Sequence, residues 1–104
     1  MADTNARPEA IKARLGRIAF RAWRRGFREA DLVLGPFADR VGPELNDQDL
    51  TDFEALLMQD DDHQLYAWIT GTEATPAPFE TPVMARIRAF MSEHVAAEVA
   101  KGAG

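Results

Sequence analysis

The 104-residue sequence contains no cysteine and no long apolar run. Without cysteine the chain cannot form a disulfide, a thiolate metal site or a cysteine nucleophile, and such a composition fits a reducing cytoplasm. No stretch approaches the ~20 consecutive apolar residues that a transmembrane helix needs, and residues 1–10 contain no apolar signal core. We therefore predict one cytoplasmic domain over residues 1–104 that does not insert into a membrane.

Motifs that carry catalytic or cofactor chemistry are also missing. The sequence has no glycine-rich phosphate loop and no dinucleotide fingerprint, and neither histidine, His63 or His94, has a nucleophile in a recognisable setting. Asp60, Asp61 and Asp62 precede His63, but a calcium loop spaces its ligands over about twelve residues around a glycine. We interpret these aspartates as a linker that ends in a helix N-cap, and we predict no enzyme activity, no metal and no cofactor.

Charge is distributed unevenly along the chain. Residues 1–30 contain eight Lys or Arg and three Asp or Glu, a net charge of +5, whereas residues 31–104 contain four and fourteen, a net charge of −10. Such asymmetry can orient a partner or raise its association rate. The basic segment, with Phe20 and Trp23 among its arginines, also permits nucleic-acid binding as an alternative hypothesis, although the overall charge of −5 opposes it.

The spacing of apolar residues predicts helices, and no stretch alternates as a strand does. Ile11, Leu15, Ile18 and Ala22 recur at intervals of four, three and four residues, as on one face of a helix. Phe20, Trp23 and Phe27 form a second stripe, which we assign to the core or to a partner. Further helices are predicted over residues 29–40, 46–59 and 62–70, and from Thr81-Pro82 onward.

We predict an all-α fold, a compact bundle of four to five short helices with flexible ends at about residues 1–9 and 96–104. In the second helix we expect an interruption or kink at Gly35-Pro36. The residues expected to face inward in that helix are Leu32, Val33, Phe37 and Val41. The residues expected in one core are Ile18, Phe37, Phe53, Leu56, Trp68 and Phe90.

Gly26 stands between the first two helical patterns and predicts a helix junction or a close approach of another backbone. On a continuous helix Arg25 and Glu29 would share a face and form an ion pair. If the helix breaks at Gly26, both side chains lie at a corner and are free to contact a partner.

The residues Arg25-Gly26-Phe27-Arg28-Glu29 match the motif RGxxE. Arg24 precedes the motif, and the residues that follow it in order are Asp31, Leu34, Phe37, Leu56-Leu57, Tyr66-Ala67-Trp68, Gly71 and Thr81-Pro82. Over about residues 15–90 this ordered set resembles the SdhE family of FAD assembly factors.

The resemblance implies a small helical protein that promotes covalent attachment of FAD to the flavoprotein subunit of succinate dehydrogenase and, in some bacteria, of fumarate reductase. It implies a factor that is a monomer when free and docks on the flavoprotein, which already carries FAD. It places Arg25, Gly26 and Glu29 at the centre of the contact, with Arg24 and Asp31 beside them. The alternative is a helical interaction module of another kind, antitoxin-like or nucleic-acid-binding through the first helix.

Overall fold

A computed structural model of the protein describes the backbone of residues 2–103 and the side chains of residues 9–94. All regular structure in this part of the chain is helical. The helices are α1 (Ala2–Ala22), α2 (Arg28–Arg40), α3 (Asp47–Leu57), α4 (Asp62–Thr70) and α5 (Pro82–Ala103), with short 3-10 turns at Gly42–Glu44 and Ala77–Phe79. The predicted all-α bundle is confirmed. None of the described helices is long and apolar enough to cross a membrane.

The ends of the helices follow local signals in the sequence. The side chain of Asn46 accepts a hydrogen bond from the Asp49 amide at 2.8 Å and caps α3. Asp61 caps α4 by accepting from the Gln64 amide at 3.0 Å, so the aspartate run is a linker with a cap. Gly71 ends α4 with a φ of +83°, a backbone conformation that favours glycine.

The core forms around Phe37 of α2, which contacts the rings of Phe53 and Phe90 edge-on. The ring centroids lie 5.3 Å and 5.6 Å from that of Phe37. Five of the six predicted core residues are buried, and Phe90 packs against the cluster while partly exposed. The helix α2 contacts α1, α4 and α5, and α5 contacts α2, α3 and α4, so these two helices form the middle of the bundle.

Two details of α2 differ from the prediction. Leu32 is 46 % exposed, so its predicted inward direction is wrong. The buried residues of α2 are Ala30, Val33, Leu34, Gly35, Phe37 and Ala38. The helix also continues through Pro36, so the predicted interruption does not occur. Pro36 has no amide hydrogen to donate to the carbonyl of Leu32, four positions earlier, and Leu32 lies on the exposed side of the helix.

At the amino-terminal end, α1 begins at Ala2 rather than near Ile11. The ends that we expected to be flexible, residues 1–9 and 96–104, lie almost entirely outside the part whose side chains are described. Their flexibility stays a prediction.

Candidate partner-binding site

The candidate site is the corner between α1 and α2, residues 23–31. Its backbone turns at Gly26, which has a φ of +87°, a conformation that L-amino acids rarely adopt. A Cβ built on Gly26 would meet only the Oδ2 atom of Asp62, at an ordinary distance of 3.8 Å. Glycine is therefore required here by the backbone conformation and not by crowding inside the protein. The predicted helix junction is confirmed.

Arg25 lies at the corner but its side chain is directed into the protein. The side chain is 10 % exposed, and its Nη2 atom forms an ion pair of 2.7 Å with Asp62 of α4. Its Nε atom donates to the same carboxylate at 2.8 Å, and its Nη1 and Nη2 atoms donate to the carbonyl oxygens of Leu57 and Gln59. The last carbonyls of a helix have no partner within it, so Arg25 also caps the end of α3.

Asp31 and Phe27 attach the rest of the corner to the bundle. The Oδ1 atom of Asp31 accepts a hydrogen bond from the backbone amide of Arg25 at 2.7 Å. The ring of Phe27 contacts two residues of α4, with centroid distances of 4.1 Å to His63 and 5.5 Å to Tyr66. Both sides of Gly26 are thus held from inside, and α2 starts after Phe27 without a side-chain cap.

Glu29 and Arg24 lie on the exposed side of the corner. Glu29 forms no hydrogen bond or ion pair with any residue whose side chain is described. The helix breaks at Gly26, so the ion pair with Arg25 that a continuous helix would have allowed does not form. The guanidinium of Arg24 lies 4.0 Å above the ring of Phe20, which is 60 % exposed. A break at Gly26 therefore leaves Glu29 free to contact a partner but engages Arg25 internally.

Trp23 packs the start of the corner against α2. Its ring lies against Gly35, where an added Cβ would come within 2.3 Å of the indole, and its Nε1 atom donates to Asp39 at 3.0 Å. The sequence interpretation treated Gly35 only as a helix break. A glycine inside a helix can also indicate such a close approach, so Gly35 was itself a signal in the sequence for this contact.

Asp62 is the site residue that sequence reasoning missed. It belongs to the aspartate run that we interpreted as a linker, and its role depends on a contact with a residue 37 positions away. In the described part of the chain no group of three or more histidine, cysteine, aspartate or glutamate residues is arranged to hold a metal ion.

A second ion pair joins α1 to α3 away from the corner. The Nη2 atom of Arg14 lies 2.6 Å from Glu54, and this hydrogen bond raises the pKa of Arg14 above its ordinary value. Arg14 lies about two helical turns before the end of α1. Two arginines of the basic segment, Arg14 and Arg25, are therefore paired with carboxylates of the same protein.

Comparison with known proteins identifies relatives over most of the chain. A family model described as "Flavinator of succinate dehydrogenase" matches residues 16–91, a span that contains the whole corner. The FAD assembly factor SdhE of Shewanella oneidensis is 37 % identical over 67 residues, which cover 64 % of this chain and 80 % of that protein.

Mitochondrial proteins of flies are more distant relatives. Succinate dehydrogenase assembly factor 2-B of Drosophila melanogaster is 25 % identical over 87 residues, covering 83 % of this chain. Assembly factor 2-A of Drosophila willistoni is 28 % identical over 88 residues, covering 84 %. The chain spans only about half the length of these two relatives, 56 % and 54 %. Since the family model matches well over half of the sequence, this chain belongs to the family described as the flavinator of succinate dehydrogenase.

Proposed function

We propose that this protein is an assembly factor that binds the flavoprotein subunit of succinate dehydrogenase and promotes covalent attachment of FAD to it. The observation that carries the proposal is the family match over residues 16–91, which includes the exposed left-handed Gly26. The relatives are described as factors for FAD assembly and for succinate dehydrogenase assembly. The choice of the flavoprotein subunit as the partner is part of the proposal.

In this proposal the corner contacts the flavoprotein through its exposed groups. Gly26 has no side chain, so the backbone of a partner can approach it closely. Glu29 lies in the exposed first turn of α2, and its carboxylate has no partner among the residues whose side chains are described. Arg24 is also exposed. A contact that buries Glu29 against a cation would use a charge that contributes only about 0.3–1 kcal/mol to the free protein, through its position near the amino terminus of α2.

The factor acts by positioning and contributes no reacting group. Alignment of reactants alone can supply several kcal/mol of a barrier, and a factor that binds one conformer of its client increases the population of that conformer. The flavin and a residue of the flavoprotein would form the covalent bond themselves, so flavinylation would be autocatalytic. We also propose that the factor works as a monomer in the cytoplasm, consistent with its similarity to a bacterial FAD assembly factor.

Specific contacts within the protein argue against the nucleic-acid alternative. Arg14 and Arg25 are engaged with Glu54 and Asp62, so they are not free for phosphates. The indole of Trp23 packs on Gly35 and is not free on both faces to stack on a base.

The variant Glu29→Gln tests the proposal directly. In the free protein it removes a charge near the amino terminus of α2, which is worth about 0.3–1 kcal/mol, so its melting temperature should change little. In the complex, loss of a desolvated charged contact costs about 2 kcal/mol or more, equivalent to an affinity weaker by about thirtyfold. Covalent flavin on the flavoprotein subunit, measured by in-gel fluorescence, should fall accordingly when the concentration of the assembly factor is limiting.

Glu93→Gln is the matched control. Glu93 is also exposed on a helix and forms no ion pair with any residue whose side chain is described, but it lies on α5. Its variant should support normal flavinylation. If Glu29→Gln and Glu93→Gln behave alike in a system where the wild type is active, Glu29 has no part in the contact. If the wild type itself fails to raise flavinylation, the proposed function is wrong.

A further inference from the structure

The first turns of α4 hold the corner on both sides of its left-handed residue. On one side, the carboxylate of Asp62 forms a 2.7 Å ion pair with Arg25. On the other, the ring of Tyr66 meets that of Phe27 edge-on, with centroids 5.5 Å apart. Gly26 lies between these two anchors, and its own environment is otherwise open.

We infer that Asp62 is a positioning residue for the corner: by holding Arg25, it sets the backbone conformation in which Gly26 and Glu29 are presented to the partner. The inference rests on the proposed function, in which those two residues contact the flavoprotein. It also gives Arg25 a role inside the protein, different from the contact role that the family resemblance implied.

The contacts of Arg25 explain why Asp62 controls the corner. The backbone amide of Arg25 donates to Asp31 at 2.7 Å while its guanidinium donates to Asp62 at 2.8 Å, so the residue is held at both ends. Glycine can populate many backbone conformations, so the neighbouring Gly26 is restricted mainly by what holds Arg25 and Phe27.

Removing the Asp62 carboxylate would release this restriction. The guanidinium would keep the carbonyls of Leu57 and Gln59 as acceptors but would lose its counter-charge. A poorly exposed charge without a partner is strongly disfavoured, so Arg25 would move toward water. The corner would then sample several conformations, of which only a fraction suit the partner, and the apparent affinity would fall by that fraction.

Glu54→Ala provides a matched control for Asp62→Ala. Each variant removes one carboxylate from an ion pair between two segments of the bundle, at 2.6 Å for Glu54 with Arg14 and 2.7 Å for Asp62 with Arg25. Only the second pair includes a residue of the corner. Any effect of general destabilisation should therefore appear in both variants. Any effect of corner geometry should appear in Asp62→Ala alone.

The first measurement uses the free protein and does not depend on the proposed function. In nuclear magnetic resonance spectra of folded Asp62→Ala, we expect the amide signals of Arg25 and Gly26 to shift and the Arg25 amide to exchange with solvent about tenfold faster. Glu54→Ala should leave these signals in place. Asp62→Asn keeps an oxygen acceptor without the charge, so its amide shifts and its Arg25 exchange rate should lie between those of wild type and Asp62→Ala. It replaces Asp62→Ala in the experiment if that variant does not fold.

The second measurement is the flavinylation rate, at a temperature where every variant is folded. Asp62→Ala should lower it about tenfold or more, since a misplacement of the order of 1 Å can cost a factor of about a hundred. Because Asp62 acts through the corner, its effect should shrink in the presence of Glu29→Gln. Glu54→Ala should have the same small effect with or without Glu29→Gln.

Each result decides the inference. Unchanged Arg25 and Gly26 amides in folded Asp62→Ala would overturn it, whatever the flavinylation rate. Equal losses of flavinylation in Asp62→Ala and Glu54→Ala, or full additivity with Glu29→Gln, would also overturn it by pointing to stability alone. A wild-type protein that does not promote flavinylation refutes the proposed function instead, and the amide signals then decide whether Asp62 sets the corner.

Discussion

Replacing Gly26 by alanine separates a conformational role of this glycine from a contact role. The φ of Gly26 is +87°, and a β-carbon in a left-handed conformation costs about 1–2 kcal/mol. The nearest atom to that carbon would be Asp62 Oδ2 at 3.8 Å, so no steric clash adds to this cost. We therefore expect a loss of about 1–2 kcal/mol, which lowers the melting temperature by about 4–8 °C per kcal/mol in a domain near this size.

Gly71→Ala is the matched control for this loss. Gly71 has nearly the same conformation, with a φ of +83°, and no atom lies within 4 Å of an added Cβ. It ends α4 at the opposite terminus from Asp62, so its variant has the same backbone cost without changing the corner. Melting followed by circular dichroism should show similar losses for the two variants, whereas covalent flavin should fall much further for Gly26→Ala.

Two larger substitutions sharpen the comparison. Asparagine tolerates the left-handed conformation better than alanine, so Gly26→Asn should recover part of the stability and yet stay poor in flavinylation. Gly26→Arg should be worse in flavinylation, because its side chain would occupy the space that a partner's backbone must enter. If the Gly26 variants and Gly71→Ala support flavinylation in proportion to their stability alone, Gly26 has only a conformational role and the contact reasoning is refuted.

Two other variants test contacts that the structure shows within the bundle. Gly35→Ala places a Cβ within 2.3 Å of the Trp23 ring, so we expect a loss of about 1–3 kcal/mol and altered tryptophan emission. Gly16→Ala is the control, because the space around its added Cβ is open, and it should be about 1 kcal/mol more stable than wild type. Unchanged tryptophan emission in Gly35→Ala would contradict the contact between Trp23 and Gly35. Arg25→Ala should lower the free energy of urea unfolding by about 2–4 kcal/mol, because it leaves a carboxylate and two carbonyls without their donor. Arg86→Ala, which removes an exposed ion pair, should lower it by no more than about 1 kcal/mol, and similar losses for both arginines would show that Arg25 is not an internal anchor.

The helix ends could be predicted because their signals are local. Asn46 caps α3 with its own side chain, Gly71 supplies the left-handed residue after α4, and Pro82 begins α5. Each of these acts within one turn of its position, so a single sequence contains all the information needed.

The rotation of α2 could not be predicted from the same sequence. Leu32, Val33 and Leu34 are three consecutive apolar residues, of which one face of a helix can bury only part. Packing against α1, α4 and α5 selects Val33 and Leu34 and leaves Leu32 exposed. That choice depends on neighbouring helices and not on the periodicity of α2 itself.

The candidate site shows the same division between local and distant information. Gly26 could be recognised as a junction because a glycine between two helical patterns is a local signal. The direction of Arg25 could not, because its partners Leu57 and Asp62 lie 32 and 37 positions along the chain. The absence of an Arg25–Glu29 ion pair has the same cause, since Arg25 is bonded to Asp62 instead.

The contacts of Arg25 also constrain the length of the connection between α3 and α4. Residues 58–61 make up this connection, and one guanidinium bonds to the carbonyls of Leu57 and Gln59 on one side and to Asp62 on the other. Surface connections usually tolerate insertions, since lengthening a loop costs little entropy. An inserted residue that moved Asp62 away from the two carbonyls would break this contact, because one guanidinium has to reach all three acceptors. We therefore expect related sequences with a longer connection to lack this three-way contact and to hold their α1–α2 corner by other means.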